Sequence, residues 1–321
     1  MLTPSEILTV NYHYCIPPGR TEWRGFKGVT PDALERQIAA IKTKYAFLDL
    51  AALPYSGQIS AAGGLGCLVT FDDGMADIAQ LAMPILERHG VPAIIFCCAL
   101  PYVEGKVLNV QKSHLLQGLW GWNGFRERFM AALANDPEGE VREDSTYLQI
   151  DRMYRYDDDA TGSFKRLLNV DLPYRVVDRI LDRMFEHEFG SQREAVAQLY
   201  LSLDDIKRCV DKGLSIGLHT YAHRMSSRLS RQEQTDDIDA SLELFRDRLG
   251  LDIQSISYPY GVKGTWDDNS KQIAVERGLN YGFTLGRELF RPALHKDLME
   301  IPRFDVNDIF EHDGGLKAEF R

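Results

Sequence analysis

Cys67-Leu68-Val69-Thr70-Phe71-Asp72-Asp73-Gly74 is a short run of apolar and β-forming residues that ends in two adjacent carboxylates and a glycine. Val, Thr and Phe favour a strand, and Gly74 marks a turn. Packing gives no reason for such an ending, because neighbouring aspartates repel and resist desolvation. Two readings fit. Either the strand leaves the core through a solvated Asp-Asp-Gly turn, or a cation sits beside the pair. In the second case one Asp holds the cation and the other keeps a lone pair for proton transfer.

A second segment favours the cation. Gly217-Leu218-His219-Thr220-Tyr221-Ala222-His223 follows the apolar run Leu214-Ser215-Ile216. Four-residue spacing lets His219 and His223 face the same way if a helical turn begins there, and imidazole suits zinc and its neighbours. One Asp and two His make a three-ligand set with room for water.

Taken in order, Thr70-Phe71-Asp72-Asp73-Gly74, His219-Thr220-Tyr221-Ala222-His223 and Ser257-Tyr258-Pro259-Tyr260-Gly261 resemble the first three motifs of the polysaccharide deacetylases (the NodB-homology, carbohydrate esterase 4 family). The resemblance covers residues 6–100 and 210–305. It implies an α/β fold, an irregular (β/α)7 barrel, in which Asp73, His219 and His223 hold a divalent metal. Zinc is the first expectation, with Co2+, Ni2+ or Mn2+ as alternatives. Asp72 is then the general base, and the backbone N–H of Tyr260 faces the developing oxyanion. Ser257 stands where the third motif usually opens with arginine, and the family's late Leu-x-His motif is absent. His13 is the positional candidate for the general acid. Arg303, in Ile301-Pro302-Arg303-Phe304-Asp305, either orients Asp72, binds a substrate carboxylate or phosphate, or lies at the surface.

The alternation of elements supports a parallel barrel independently of the motifs. Strand-like runs end at His13, Asp72, Cys97, Leu218, Tyr258 and Leu285, with helical segments between them. Thr30-Pro31-Asp32 opens a helix with Leu34, Ile38 and Ile41 on one face, and Gly90, Gly250 and Gly278 close others. The polar candidates fall at C-terminal strand ends, where barrel enzymes collect their chemistry. Residues 101–210 break the rhythm with helical periodicity. The expected organisation is a barrel from 1–100 and 211–321 with a helical insertion at 101–210, which serves as a lid, an oligomer contact or a satellite core.

With 321 residues and 44% hydrophobic content, the chain has material for one large α/β domain. Its net charge of −10 is interleaved rather than segregated, which argues against nucleic acid or anionic membrane as partners. No apolar run reaches the ~20 residues of a membrane span. The start lacks a basic-then-apolar leader, and the five cysteines read as buried thiols, so the expected location is cytoplasmic. The resulting expectation is a metal-dependent N-deacetylase of an amino sugar. Its substrate would be a nucleotide-linked, lipid-linked or oligosaccharide precursor in surface-polysaccharide (O-antigen or capsule) biosynthesis. A deformylase or non-sugar amide hydrolase on the same fold, or an inactive carbohydrate-binding relative, are the alternatives. A homo-oligomer through the insertion is a further possibility.

Overall fold

The computed structural model describes residues 6–17, 19, 25–53, 64–138, 158–311 and 313–320. Among these, the strands are β1 (Glu6–Tyr12), β2 (Ala46–Phe47), β3 (Leu65–Phe71), β4 (Ala93–Cys97), β5 (Ser215–Leu218), β6 (Ser255–Ser257), β7 (Tyr281–Thr284), β8 (Ile301–Pro302) and β9 (Phe304–Asp305). They pair in the order β8-β7-β6-β5-β4-β3-β1-β9, with β2 added to β3, and every ladder is parallel. β8 pairs with β7 and β9 pairs with β1. The last stave therefore bridges the two ends of the sheet and nearly closes the expected barrel. Arg303 falls in the one-residue gap between β8 and β9.

Helices cover the barrel as the periodicity predicts. Helix α1 (Pro31–Lys42) is capped by Thr30, whose Oγ1 accepts from Ala33 N–H at 3.2 Å, and it buries Leu34, Ile38 and Ile41. The helix expected from Met75 instead starts with a π-turn, Ile78–Ala82, before α2 (Met83–His89). Pro84 lies in the first turn of α2 and has no N–H, so the regular ladder cannot run unbroken through it. Residues 230–249 show the same difference: α9 (Arg231–Leu242) passes into a π-helical stretch, Glu243–Arg248. The last barrel helix, α10 (Asp268–Glu276), precedes β7.

Between β4 and β5 the chain is helical: α3 (Leu100–Glu104), α4 (Asn109–Ala134), α5 (Asp159–Arg166), α6 (Tyr174–Phe189), α7 (Gln192–Leu199) and α8 (Leu203–Asp211). Helix α4 breaks at Gly121, which adopts φ 70° and ψ 169°. Leu116, Phe125, Phe129, Phe164, Leu168 and Ile180 belong to an apolar cluster distinct from the barrel core. The loop expected at Asn135 to Asp144 lies mostly outside the described residues. All five cysteines are buried and free. Among the described residues no helix is long and apolar enough to cross a membrane.

Candidate metal and catalytic site

The site is assembled by strand ends. β3 delivers Asp72 and Asp73, and the Asp72 N–H donates to Tyr12 O at 2.9 Å, anchoring the turn to β1. Asp73 sits at φ 71° and Gly74 at φ 67°. Asp tolerates this left-handed region better than most residues. Gly74 is required twice over, because a Cβ there would also meet Cys97 Sγ at 2.8 Å.

His219 and His223 are brought together by a turn with Thr220 at φ 62° and His223 at φ 56°, rather than by the expected helical turn. The turn is tied down by Tyr221 N–H, which donates to Asp237 Oδ1 at 2.7 Å.

The ligating atoms of Asp73, His219 and His223 lie within 4.8 Å of one another. Asp73 Oδ1 is 3.5 Å from His219 Nε2 and 3.6 Å from His223 Nε2. These spacings match the edge of about 3.4 Å expected for tetrahedral coordination with bonds near 2.1 Å. His219 Nδ1 contacts Ser257 O at 2.8 Å. A carbonyl only accepts, so the proton is on Nδ1 and the Nε2 lone pair faces Asp73. Asp73 Oδ1 and His219 Nε2 are buried and have no hydrogen-bond partner among the described residues. Burial pushes the His223 imidazolium down to about 4 against the pull of Asp73, so its ring is neutral at pH 7. Two bare buried donors and a neutral imidazole converging on one point fit a divalent cation.

Asp72 has the opposite surroundings. Arg303 grips it in bidentate fashion, Nη1 to Oδ1 and Nη2 to Oδ2, both at 2.8 Å. Asn11 Nδ2 donates to Asp72 Oδ2 at 3.1 Å. The guanidinium is 1% exposed and also donates to Asn11 Oδ1, Thr70 Oγ1, Ser257 Oγ and Thr284 O. Burial alone would raise the Asp72 carboxyl, but the bidentate Arg303 guanidinium outweighs it and holds the group well below the usual carboxylate range. Arg303 is therefore neither at the surface nor in a position to take a substrate anion. Its guanidinium reaches Ser257, the position where the third-motif arginine is missing.

His13 stands at the rim, 36% exposed, with Nε2 at 4.0 Å from Asp72 Oδ2. Tyr260 adopts φ 65°, its ring centroid lies 5.1 Å from that of His223, and its hydroxyl donates to Asn169 Oδ1 at 2.9 Å. Three tryptophans serve packing: Trp266 stacks on Tyr258, Trp122 meets Phe164 edge-on, and Trp120 carries Arg128 over its ring. Sequence reading missed Asn11, Tyr14 and Gln111, all of which reach the two aspartates. Buried polar residues at the end of an otherwise apolar first strand are the one available signal, and it identifies Asn11 alone.

The polysaccharide deacetylase family model matches residues 176–282. No curated protein matches the chain. Among solved structures, the deacetylase PplD from Streptococcus pyogenes in complex with acetate is 18% identical, with 94% of this chain and 93% of that one covered and a TM-score of 0.55. IcaB from Ammonifex degensii is 18% identical over 94% and 92%, with a TM-score of 0.54. The BpsB deacetylase domain from Bordetella bronchiseptica is 15% identical over 94% and 96%, with a TM-score of 0.51. The likeness to these structures is one of fold. The family match takes in the second and third motifs, and with the likeness in fold it supports the resemblance read from the sequence.

Proposed function

On the premise of an amide hydrolase of the polysaccharide deacetylase type, we propose that this chain removes the N-acetyl group of an amino sugar at a metal centre held by Asp73, His219 and His223. A divalent cation held by Asp73, His219 and His223, zinc first among the candidates, would acidify a water and polarise the acyl carbonyl. Asp72, kept ionised by Arg303, accepts the proton as water attacks the carbonyl carbon. The backbone N–H of Tyr260 supports the negative charge that develops on the acyl oxygen. As the C–N bond breaks, the nitrogen takes a proton from His13 at the solvent edge, giving acetate and a free amine.

One observation carries this reading: three side chains able to hold a metal converge, two of them through unpartnered buried atoms, beside a carboxylate gripped by the Arg303 guanidinium. A protein that only binds sugars has no use for that second carboxylate, since its burial is costly without a proton to move. The test is acetate release from N-acetylglucosamine oligomers and N-acetylated nucleotide sugars by the zinc-loaded chain. Acetate should appear, and Asp72→Asn should lower the rate about 10²–10⁴-fold while zinc stays bound. Zinc binding with no amine released from any of these sugars would remove the amino-sugar reading. An active Asp72→Asn would remove the assignment of the base.

A further inference from the structure

The helices between β4 and β5 do more than pack on themselves. Gln111, in the first turn of α4, is fully buried and its side-chain amide reaches the metal-site aspartate. Its Nε2 donates to Asp73 Oδ2 at 2.8 Å and to the Tyr14 hydroxyl at 3.0 Å. Its Oε1 accepts from the Tyr200 hydroxyl at 3.1 Å. The Tyr200 oxygen in turn accepts the Leu108 N–H at 3.0 Å. These contacts determine each other's direction. The Asp73 carboxylate oxygen accepts, so the Gln111 amide must turn its nitrogen toward it, which leaves Oε1 to take the Tyr200 proton. The Tyr14 hydroxyl lies 3.3 Å from Asp73 Oδ2 and 3.4 Å from His114 Nδ1. An ionised carboxylate is the stronger acceptor of the two.

The result is asymmetric. Asp73 Oδ2 receives the donors from α4 and from the segment after β1, whereas Oδ1 has none and faces the two imidazoles. We propose that Gln111, backed by Tyr200 and joined by Tyr14, is a positioning group of the metal centre. It occupies one carboxylate oxygen so that the other is presented, alone and oriented, to the cation. This rests on the metal-centre reading above and extends it to a segment outside the barrel sheet. Outer hydrogen bonds of this kind hold a ligating carboxylate in one orientation, so that less of its freedom is lost when the cation binds.

The test uses the full chain and zinc alone, with affinity measured by chelator competition, and cobalt absorption as the second readout. Gln111→Met should weaken zinc about 10–100-fold and shift the cobalt spectrum. Tyr200→Phe leaves the amide in place but unanchored, and should weaken zinc in the same direction by less. Tyr200→Phe also covers the case in which Gln111→Met does not fold. Folded variants that both keep the wild-type affinity and cobalt spectrum would overturn the proposal and leave the metal centre standing. His219→Ala separates the two readings: if it keeps full zinc affinity, or if the wild type binds no zinc, the metal-centre reading fails first and takes this inference with it.

Discussion

Asp72 and Asp73 are adjacent in sequence, alike in chemistry and almost equally buried, at 3% and 2% exposure. Their surroundings nevertheless fit them for opposite tasks. Both oxygens of Asp72 are held by a guanidinium from the closing stave of the barrel. Asp73 has one oxygen hydrogen-bonded by residues outside the sheet ladder and the other bare. On the proposed reading, what separates a proton acceptor from a metal ligand is therefore the count and charge of neighbouring donors. A buried carboxylate with a cation already attached gains little by taking another, while one that is half-satisfied still has a lone pair to give.

The contrast can be broken most severely at Arg303. Arg303→Met leaves Asp72 buried without its countercharge and should destabilise the chain by about 3–5 kcal/mol, read from urea unfolding. The pH response should also change sign. In the wild type the Asp72 carboxyl is depressed, so its contribution is complete above the ordinary carboxyl value near 4 and fades as the pH falls below it. Without Arg303 only burial remains to raise it, so its effect on stability should improve on acidification from pH 7 toward 4. Wild-type stability in Arg303→Met would mean that the ion pair does not govern Asp72.

A finer probe is Ser257→Ala. The serine oxygen accepts from Arg303 Nη2 at 2.7 Å, and its removal strips one acceptor from a guanidinium that keeps several others. The expected loss is about 1 kcal/mol with zinc binding unchanged, measured by the same unfolding curve alongside zinc titration. A loss of zinc affinity would show that the two aspartates are more tightly coupled than their separate partners imply.

The sequence makes the barrel and the polar strand ends legible because both rest on short-range signals. Alternating apolar runs mark the staves, and Asp-Asp-Gly and His-x-x-x-His stand out against them. Arg303 is harder to place. Its stave is two pieces of two residues each, too short for any periodicity, and its partner lies 231 positions away. Gln111 has no motif at all, being one amide in a helix whose direction is set by tyrosines from two other segments. The histidine turn shows the limit of spacing. Its four-residue interval suggested a helix, yet left-handed residues at Thr220 and His223 bring the rings together instead. Such a backbone is held by contacts like that of Asp237 with Tyr221, which only the folded chain reveals.

The most direct test of the division between the two aspartates is a cobalt(II) titration of the full chain followed by visible absorption, with Asp72→Asn and Asp73→Asn measured beside the wild type. The wild type and Asp72→Asn should each saturate at one equivalent with closely similar spectra, and Asp73→Asn should bind none at the same concentrations. Loss of cobalt from Asp72→Asn, or a wild-type spectrum in Asp73→Asn, would contradict the account.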